Sequence, residues 1–414
     1  TTQNINSGGG LIKWQIPFQM TDSTVYYWRV AADTLFNGNI PWNSSSFVYL
    51  NNGSEGWNQS HFFQYKKDKE SLLENKEPNR TFKGKTYNLN LNINSKFWPN
   101  GNNNVYLGDN RIARGSCIPS GKNSIIFLLI NPENRKTIDN YNQYPGALPD
   151  CGSRPHQFEF YVNDSAQRKL VMNFIDSIPD QYYVVFKSNG YLSTGDTVTT
   201  AQDWSADDIN NNGQSLTQYL TNLGFTNVPS LSTQKPFVGI TQKGNPNFPT
   251  ELIFDNDSSA IVTLNKELSF NLPSGTLTST IIGPVAKWNQ LLWKTKPLGN
   301  DTLGDRTFVS VYGLSSLDAN ADSLFSTQNR DTALSTIDAN QYPYLQLKWY
   351  VEDSINYTLP QLNYWRVLHQ PLPEAALNPN AGMVAKDSLI QGEMFSIKLP
   401  IENLREIPMD SMLV

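Results

Sequence analysis

The chain has 414 residues, a formal net charge of −5 and an aromatic-rich composition with 10 Trp, 19 Tyr and 20 Phe. That length allows two to four domains, and the aromatics can fill several packed cores. No cluster of Lys and Arg stands out, so the electrostatic footprint of a nucleic-acid protein is missing. No run of about twenty apolar residues offers a membrane span. Sparse charge with abundant Asn is a surface common among secreted β-proteins.

Residues 11–50 alternate with a period of two. "LIKWQIPF", "STVYYWRVAA" and "SSFVYL" read as strands. Val25, Tyr27 and Arg29 share one face, and Tyr26, Trp28 and Val30 the other. "TVYYWRVAA" followed by "SSFVYL" resembles the last strands of a fibronectin type III domain. The resemblance implies that the chain begins inside a module. The Gly/Asn-rich "NNGSEGWNQSHFFQY" and the charged "KKDKESLLENKE" follow. They place a boundary near residue 70, so that 1–70 is the end of a fibronectin-like domain plus a connector.

Residues 71–256 have another rhythm. "KTYNLNLNI" is a strand. "NSIIFLLIN" is a near-continuous apolar run, Ile125 to Ile130, as expected of a strand covered on both faces. "DSAQRKLVMNFIDSIP" predicts a helix with Leu170, Val171, Phe174, Ile175 and Ile178 as its apolar stripe. Asp164 or Ser165 is its N-cap, and Pro179 ends it. "YYVVFKS" is the next strand. "GQSLTQYLTNLGF" is a second helix, with Leu216, Tyr219, Leu220 and Leu223 inward and Gly224 as the C′ residue. "KPFVGITQKG" closes the unit as a strand. This order, from "VYLGDNRIARG" through "LVMNFIDSIPDQYYVVFKSNG" to "KPFVGITQKG", resembles the interleukin-like EMT-inducer domain, a compact α/β fold. Such a likeness transfers fold more safely than function.

Residues 257–372 return to short strands punctuated by Gly, Pro, Asn and Asp, which predicts a jelly-roll β-sandwich. Residues 373–414 read as the start of an Ig-like domain that stops unfinished. The tail, "IGPVAKWNQLLWKT" through "STIDANQYPYLQLKWYVEDS" and "LPQLNYWRVLHQPLPEAALNPN", resembles large Bacteroidetes cell-surface proteins of the type IX secretion pathway. These are PorU-like relatives of the gingipain-type cysteine peptidases. The resemblance implies an extracellular or outer-membrane location and a peptidase domain elsewhere in a longer parent. Its implied partners are other domains of that parent and outer-membrane or type IX secretion components. The expected fold is mainly β and multidomain: fibronectin/Ig-like sandwiches and a jelly roll flanking one α/β interleukin-like domain.

Few residues suggest chemistry. Cys117 and Cys151 both sit beside turn residues, and in an exported chain they predict a disulfide worth roughly 3–4 kcal/mol; two buried thiols are the alternative. The histidines are His61, His156 and His369. Cys151 and His156 are close in sequence, yet "CGSRPH" carries no nucleophile elbow, so no catalytic residue is assigned. Nucleotide and zinc motifs are missing as well, and no cofactor is expected. Loops with Asp203, Asp207 and Asp208, with Asp301 and Asp305, and with Asp318 and Asp322 offer oxygens for a structural calcium, although Asp also simply favours turns. Trp288, Trp293, Trp349 and Trp365 are candidates for stacking on a glycan, with core packing the stronger explanation.

Asp-Ser/Thr followed by an apolar residue or Thr recurs more often than composition predicts. It resembles the Bacteroidetes O-glycosylation acceptor, which implies modification at Ser23, Thr197, Thr302, Ser323, Thr332, Ser354, Ser388 and Ser411. The same tripeptides at Asp164 and Asp176 lie on or beside a helix and are set aside. Strand-entry chemistry is the plainer explanation of the pattern. The expected function is a non-catalytic surface segment that presents or docks a partner. The alternatives are a carbohydrate-binding array for polysaccharide capture and an accessory region of a gingipain-type peptidase.

Overall fold

The computed structural model describes the chain except residues 1, 6–11, 13, 33–37, 98–102, 114–123, 141–143, 150–154, 191–200, 210–212, 232, 234, 301, 387 and 410–414. The fold is mainly β, built from several antiparallel sheets. The chain divides into two compact units. One comprises residues 1–82, 274–352 and 359–414; the other comprises residues 83–273 and 353–358.

The first unit holds a β-sandwich. Its five-stranded sheet has the order Asp322–Thr327, Asp305–Leu314, Tyr344–Asp353, Ser274–Thr278, Lys69–Ser71. Its four-stranded sheet has the order Asp331–Ala333, Val285–Lys296, Gln361–Pro371, Gly56–Gln59. Along Tyr344–Asp353 the side chains alternate, with Leu345, Leu347, Trp349 and Val351 buried. They meet Leu291, Trp293, Trp365 and Val367 of the facing sheet in one core. Alternation with a period of two is what lets each sheet bury one face.

Trp288, Trp293, Trp349 and Trp365 are at most 1% exposed. Each buried indole N–H donates to a fixed acceptor. Trp288 bonds the Tyr342 carbonyl at 2.8 Å and Trp293 the Asn329 carbonyl at 2.7 Å. Trp349 bonds Thr307 Oγ1 and Trp365 bonds Gln59 Oε1, both at 2.6 Å. The glycan-stacking role expected of Trp288, Trp293 and Trp365 is therefore corrected. These rings are core anchors with satisfied donors, and no sugar can reach them.

The second unit interrupts the sandwich in the chain. Strands Thr86–Ser95 and Val262–Asn271 pair antiparallel along their whole lengths, from Thr86↔Asn271 to Ser95↔Val262. The unit therefore enters and leaves on neighbouring strands, and its ends are already together. This pairing revises the boundary expected at residue 256, because 262–271 belong to the α/β unit and not to a jelly roll. The boundary near residue 70 moves as well. Gly56–Gln59 pairs with Gln361–Pro371, and Lys69–Ser71 with Ser274–Thr278. The sandwich thus draws strands from both sides of the insertion.

The centre of the α/β unit is a five-stranded antiparallel sheet in the order Phe158–Tyr161, Ser124–Ile130, Tyr183–Asn189, Phe237–Gln242, Glu251–Phe254. Every residue of Ser124–Ile130 is buried. Ile125, Phe127 and Leu129 face a core shared with helices Ser165–Ser177 and Leu216–Asn222. Ile126, Leu128 and Ile130 face a second core under the sheet that contains Thr86–Ser95 and Val262–Asn271. Coverage of both faces explains the unbroken apolar run.

Local chemistry sets the helix ends. Asp164 caps the first helix by accepting from the Gln167 N–H at 2.9 Å. Gly224 follows the second helix at φ +116°, and a Cβ there would stand 2.9 Å from Thr250 Oγ1, so glycine is required on both counts. In the loop Asp353–Thr358, fully buried Asp353 accepts from the N–H groups of Ile355, Asn356 and Thr358 and from Thr358 Oγ1. Burial alone pushes its carboxyl up, but these bonds outweigh it and hold the pKa below the usual range.

Arg168 and Asp207 form a buried two-pronged pair, Nε to Oδ2 at 2.7 Å and a terminal guanidinium nitrogen to Oδ1 at 2.8 Å. The Asp207→Ala change leaves the guanidinium buried without its counter-charge. It is expected to cost about 3 kcal/mol of α/β-unit stability in equilibrium unfolding. A loss well under ~1 kcal/mol, as for an exposed pair, would contradict this reading.

At the chain's two ends lie short ribbons, Thr24–Val30 with Asn43–Tyr49, Ala375–Leu377 with Ile401–Asn403, and Val384–Ala385 with Ile397–Lys398.

Candidate functional site

An open cleft of about 520 Å³ lies in the α/β unit. It forms where the C-terminal end of helix Ser165–Ser177, one face of helix Leu216–Asn222 and the turn after Phe237–Gln242 converge. Lys243 is the one cationic side chain among the described lining residues. Its Nζ donates to the carbonyls of Ile175 at 2.9 Å, Asp176 at 3.1 Å and Ile178 at 2.6 Å. An ammonium has three hydrogens, so Lys243 closes the helix end and has none left for a ligand.

The other lining groups are neutral or anionic. Tyr219 directs its hydroxyl at Asp176 Oδ2, 3.4 Å away. Burial, with the Asp176 charge behind it, pushes the Tyr219 phenol up. Asp180 lies against Gly244, whose φ of +72° lets the turn pass close beside the carboxylate. Gln218 and Asn222 are exposed and four residues apart on one helix face. Gln214 is held by Lys169 Nζ at 2.6 Å. The cleft thus offers two carboxylates, amides and a tyrosine, and among the described lining residues no free cation.

A second polar cluster is sealed inside the same unit. Glu159, Ile126 and Lys187 form one row across three strands, with Ser124 and Asn189 as the adjoining pair. Lys187 is 1% exposed and Glu159 3%. Lys187 Nζ donates to the carbonyls of Asn94 at 3.0 Å and Asn103 at 2.8 Å. Asn189 Nδ2 donates to Glu159 Oε1 at 2.8 Å, and Ser124 Oγ donates to the same oxygen at 2.5 Å. Burial lowers the Lys187 pKa to about 7, with the Glu159 charge opposing. The cluster is closed to solvent and works as an internal staple.

The residues singled out in the sequence scatter. Cys117, Cys151, Thr197, Asp301 and Ser411 lie outside the described residues, as does the Asp208 side chain. His156 bonds Asp139 through Nδ1. His61 Nε2 meets Ser46 Oγ at 2.9 Å, and burial lowers its pKa. His369 packs edge-on against Trp288. The calcium reading of Asp207 is corrected, since both its oxygens bind Arg168. Asp322 accepts from the Tyr342 hydroxyl at 3.1 Å, while Asp203 and Asp318 are exposed and Asp305 is half-buried. Among the described residues no three His, Cys, Asp or Glu side chains converge on a metal position.

Of the acceptor hydroxyls, Ser23, Thr302, Ser323, Ser354 and Ser388 are exposed. Thr332 is half-buried and bonded to Thr327 Oγ1 at 3.2 Å and the Asn329 carbonyl at 3.3 Å. The preceding aspartates among the described residues carry structural bonds. Asp22 accepts from the Asn51 N–H at 2.8 Å, and Asp331 accepts from Gln290 at 2.6 Å. No protein-family model matches the chain, and a comparison with curated proteins finds none that matches it.

Proposed function

We propose that the chain is a non-catalytic segment of a large bacterial cell-surface or secreted protein linked to type IX secretion, acting in presentation or docking of a partner. The observation that supports this reading most is the insertion of the α/β unit on the paired strands Thr86–Ser95 and Val262–Asn271. Closely spaced ends let a host sandwich carry a second unit without disturbing its own core. The inserted unit presents an open polar cleft, and a scaffold that displays a recognition surface in this way suits docking. No described helix is long and apolar enough to cross a membrane.

The test is the location and intact mass of the native polypeptide, with peptide mapping. Protease added to intact cells is expected to cleave it. Hexose is expected on peptides containing Ser23, Thr302, Ser323, Ser354 or Ser388, whose hydroxyls are exposed. It is not expected on Ser177, which donates to the Phe174 carbonyl inside a helix. An unmodified chain protected inside intact cells would overturn the surface reading.

A further inference from the structure

We infer that the cleft between helices Ser165–Ser177 and Leu216–Asn222 binds a neutral, hydroxyl-rich ligand, a sugar unit of a glycan. The inference rests on the docking reading and names the chemistry that the docking site selects.

The cleft's functional groups carry the argument. Positive charge strengthens recognition of phosphate, sulfate or a carboxylate, and negative charge in the lining opposes it. Here the only lining ammonium among the described residues is saturated by three helix-end carbonyls, and two carboxylates face the space. The lining therefore disfavours anionic ligands. A sugar hydroxyl is a donor, and it complements carboxylates that lack donors of their own. No described residue bonds the Asp180 carboxylate, and Asp176 receives only the long Tyr219 contact. The exposed amides of Gln218 and Asn222 can each donate and accept, which matches the dual character of hydroxyl groups. The volume of about 520 Å³ lies in the range of small-molecule sites and admits one or two sugar rings. The floor is fixed by Lys243 and the walls by two packed helices, so little ordering is needed on binding.

A basic peptide would also answer to two carboxylates, and the experiment separates the two. The full chain is applied to immobilised neutral oligosaccharides, to their sialylated, sulfated and uronic-acid counterparts, and to a polylysine peptide. Binding is expected on neutral glycans and not on acidic ones. The Asp180→Asn and Asn222→Ala variants are each expected to weaken it about tenfold, the loss of one good hydrogen bond to a charged or oriented partner. Both positions are exposed, so unchanged thermal unfolding keeps the comparison clean. Glycan binding indifferent to both variants, binding of acidic glycans alone, or binding of polylysine alone would each overturn the proposal. Absence of all binding by a chain that is surface-exposed on cells would overturn the ligand class and leave the docking reading standing. A chain that is not at the surface would fail that reading itself.

Discussion

Between pH 7 and pH 10 the α/β unit is expected to become more stable, and the Lys187→Met variant is expected to lose that rise. Lys187 is buried completely and reaches two main-chain carbonyls, those of Asn94 and Asn103. A neutral amine has two hydrogens, which match two acceptors. The ammonium form has a third hydrogen and a charge to desolvate. Burial accordingly lowers the folded pKa to about 7, against 10.5 for the exposed group. Below pH 7 both folded and unfolded chains hold the proton, and the folded chain bears the full cost of a buried charge. From pH 7 upward the folded chain releases it while the unfolded chain keeps it, so stability climbs until the unfolded lysine titrates too. The shift corresponds to a gain of up to roughly 5 kcal/mol. Tyr182 and Tyr183 in the same unit have phenols pushed up by burial. Ionisation of tyrosine in the unfolded chain therefore opposes the gain above about pH 10. Hydrogen exchange of the amides in Tyr183–Asn189, followed at several pH values after correction for intrinsic exchange rates, reads the unit directly. An equal rise in Lys187→Met would assign the effect to other groups.

Sequence periodicity showed some of this architecture and not the rest, and the division is physical. The helix Ser165–Ser177, its Asp164 cap and the Gly224 stop depend on neighbours within a few residues, so local pattern carried them. The double coverage of Ile125–Ile130 was legible for the same reason. Strand pairing is a longer-range matter. Val262–Asn271 alternates like any sandwich strand, and nothing in its composition says that its partner is Thr86–Ser95. That is why the insertion was invisible and the boundary fell at the wrong place. The tryptophans show the same limit. Their spacing allowed either packing or display, and only the acceptors at Gln59, Thr307, Asn329 and Tyr342 decided it. The cleft is assembled from a helix end, a helix face and a turn, and no single segment carries its signal. Nothing local in "YYVVFKS" marks Lys187, because the carbonyls that hold it, those of Asn94 and Asn103, lie far away in sequence.

In the sandwich the expected pH dependence has the opposite sign, and Asp68→Asn is expected to raise stability at pH 8. Asp68 Oδ1 accepts from Gln59 Nε2 at 2.8 Å and from the Thr280 N–H at 3.1 Å. Oδ2 is sealed from solvent and has no partner. A buried, half-satisfied carboxylate is costly. Burial raises the Asp68 pKa to about 7, with the Glu70 charge adding to it and the two hydrogen bonds opposing. The unfolded carboxyl titrates near its ordinary value of 3.8. Between these two values the folded chain holds a proton that the unfolded chain has lost. Stability is therefore complete below about pH 4, falls as the pH rises to 7 and stays low above it. Asp68 as a whole is only half-buried, so solvent screening reduces the effect to about 2–4 kcal/mol. Asparagine keeps the acceptor for Gln59 and Thr280 and puts an uncharged NH₂ at the sealed position. The variant is expected to unfold at a higher temperature than the parent at pH 8 and at nearly the same temperature at pH 4. The same network ties Gln59 to the Trp365 indole. The readout is therefore the sandwich transition, followed by the fluorescence of its buried tryptophans. A destabilised variant at pH 8 would show that the Asp68 carboxylate is charged and favourable in the folded chain, and would reverse the sign argued here.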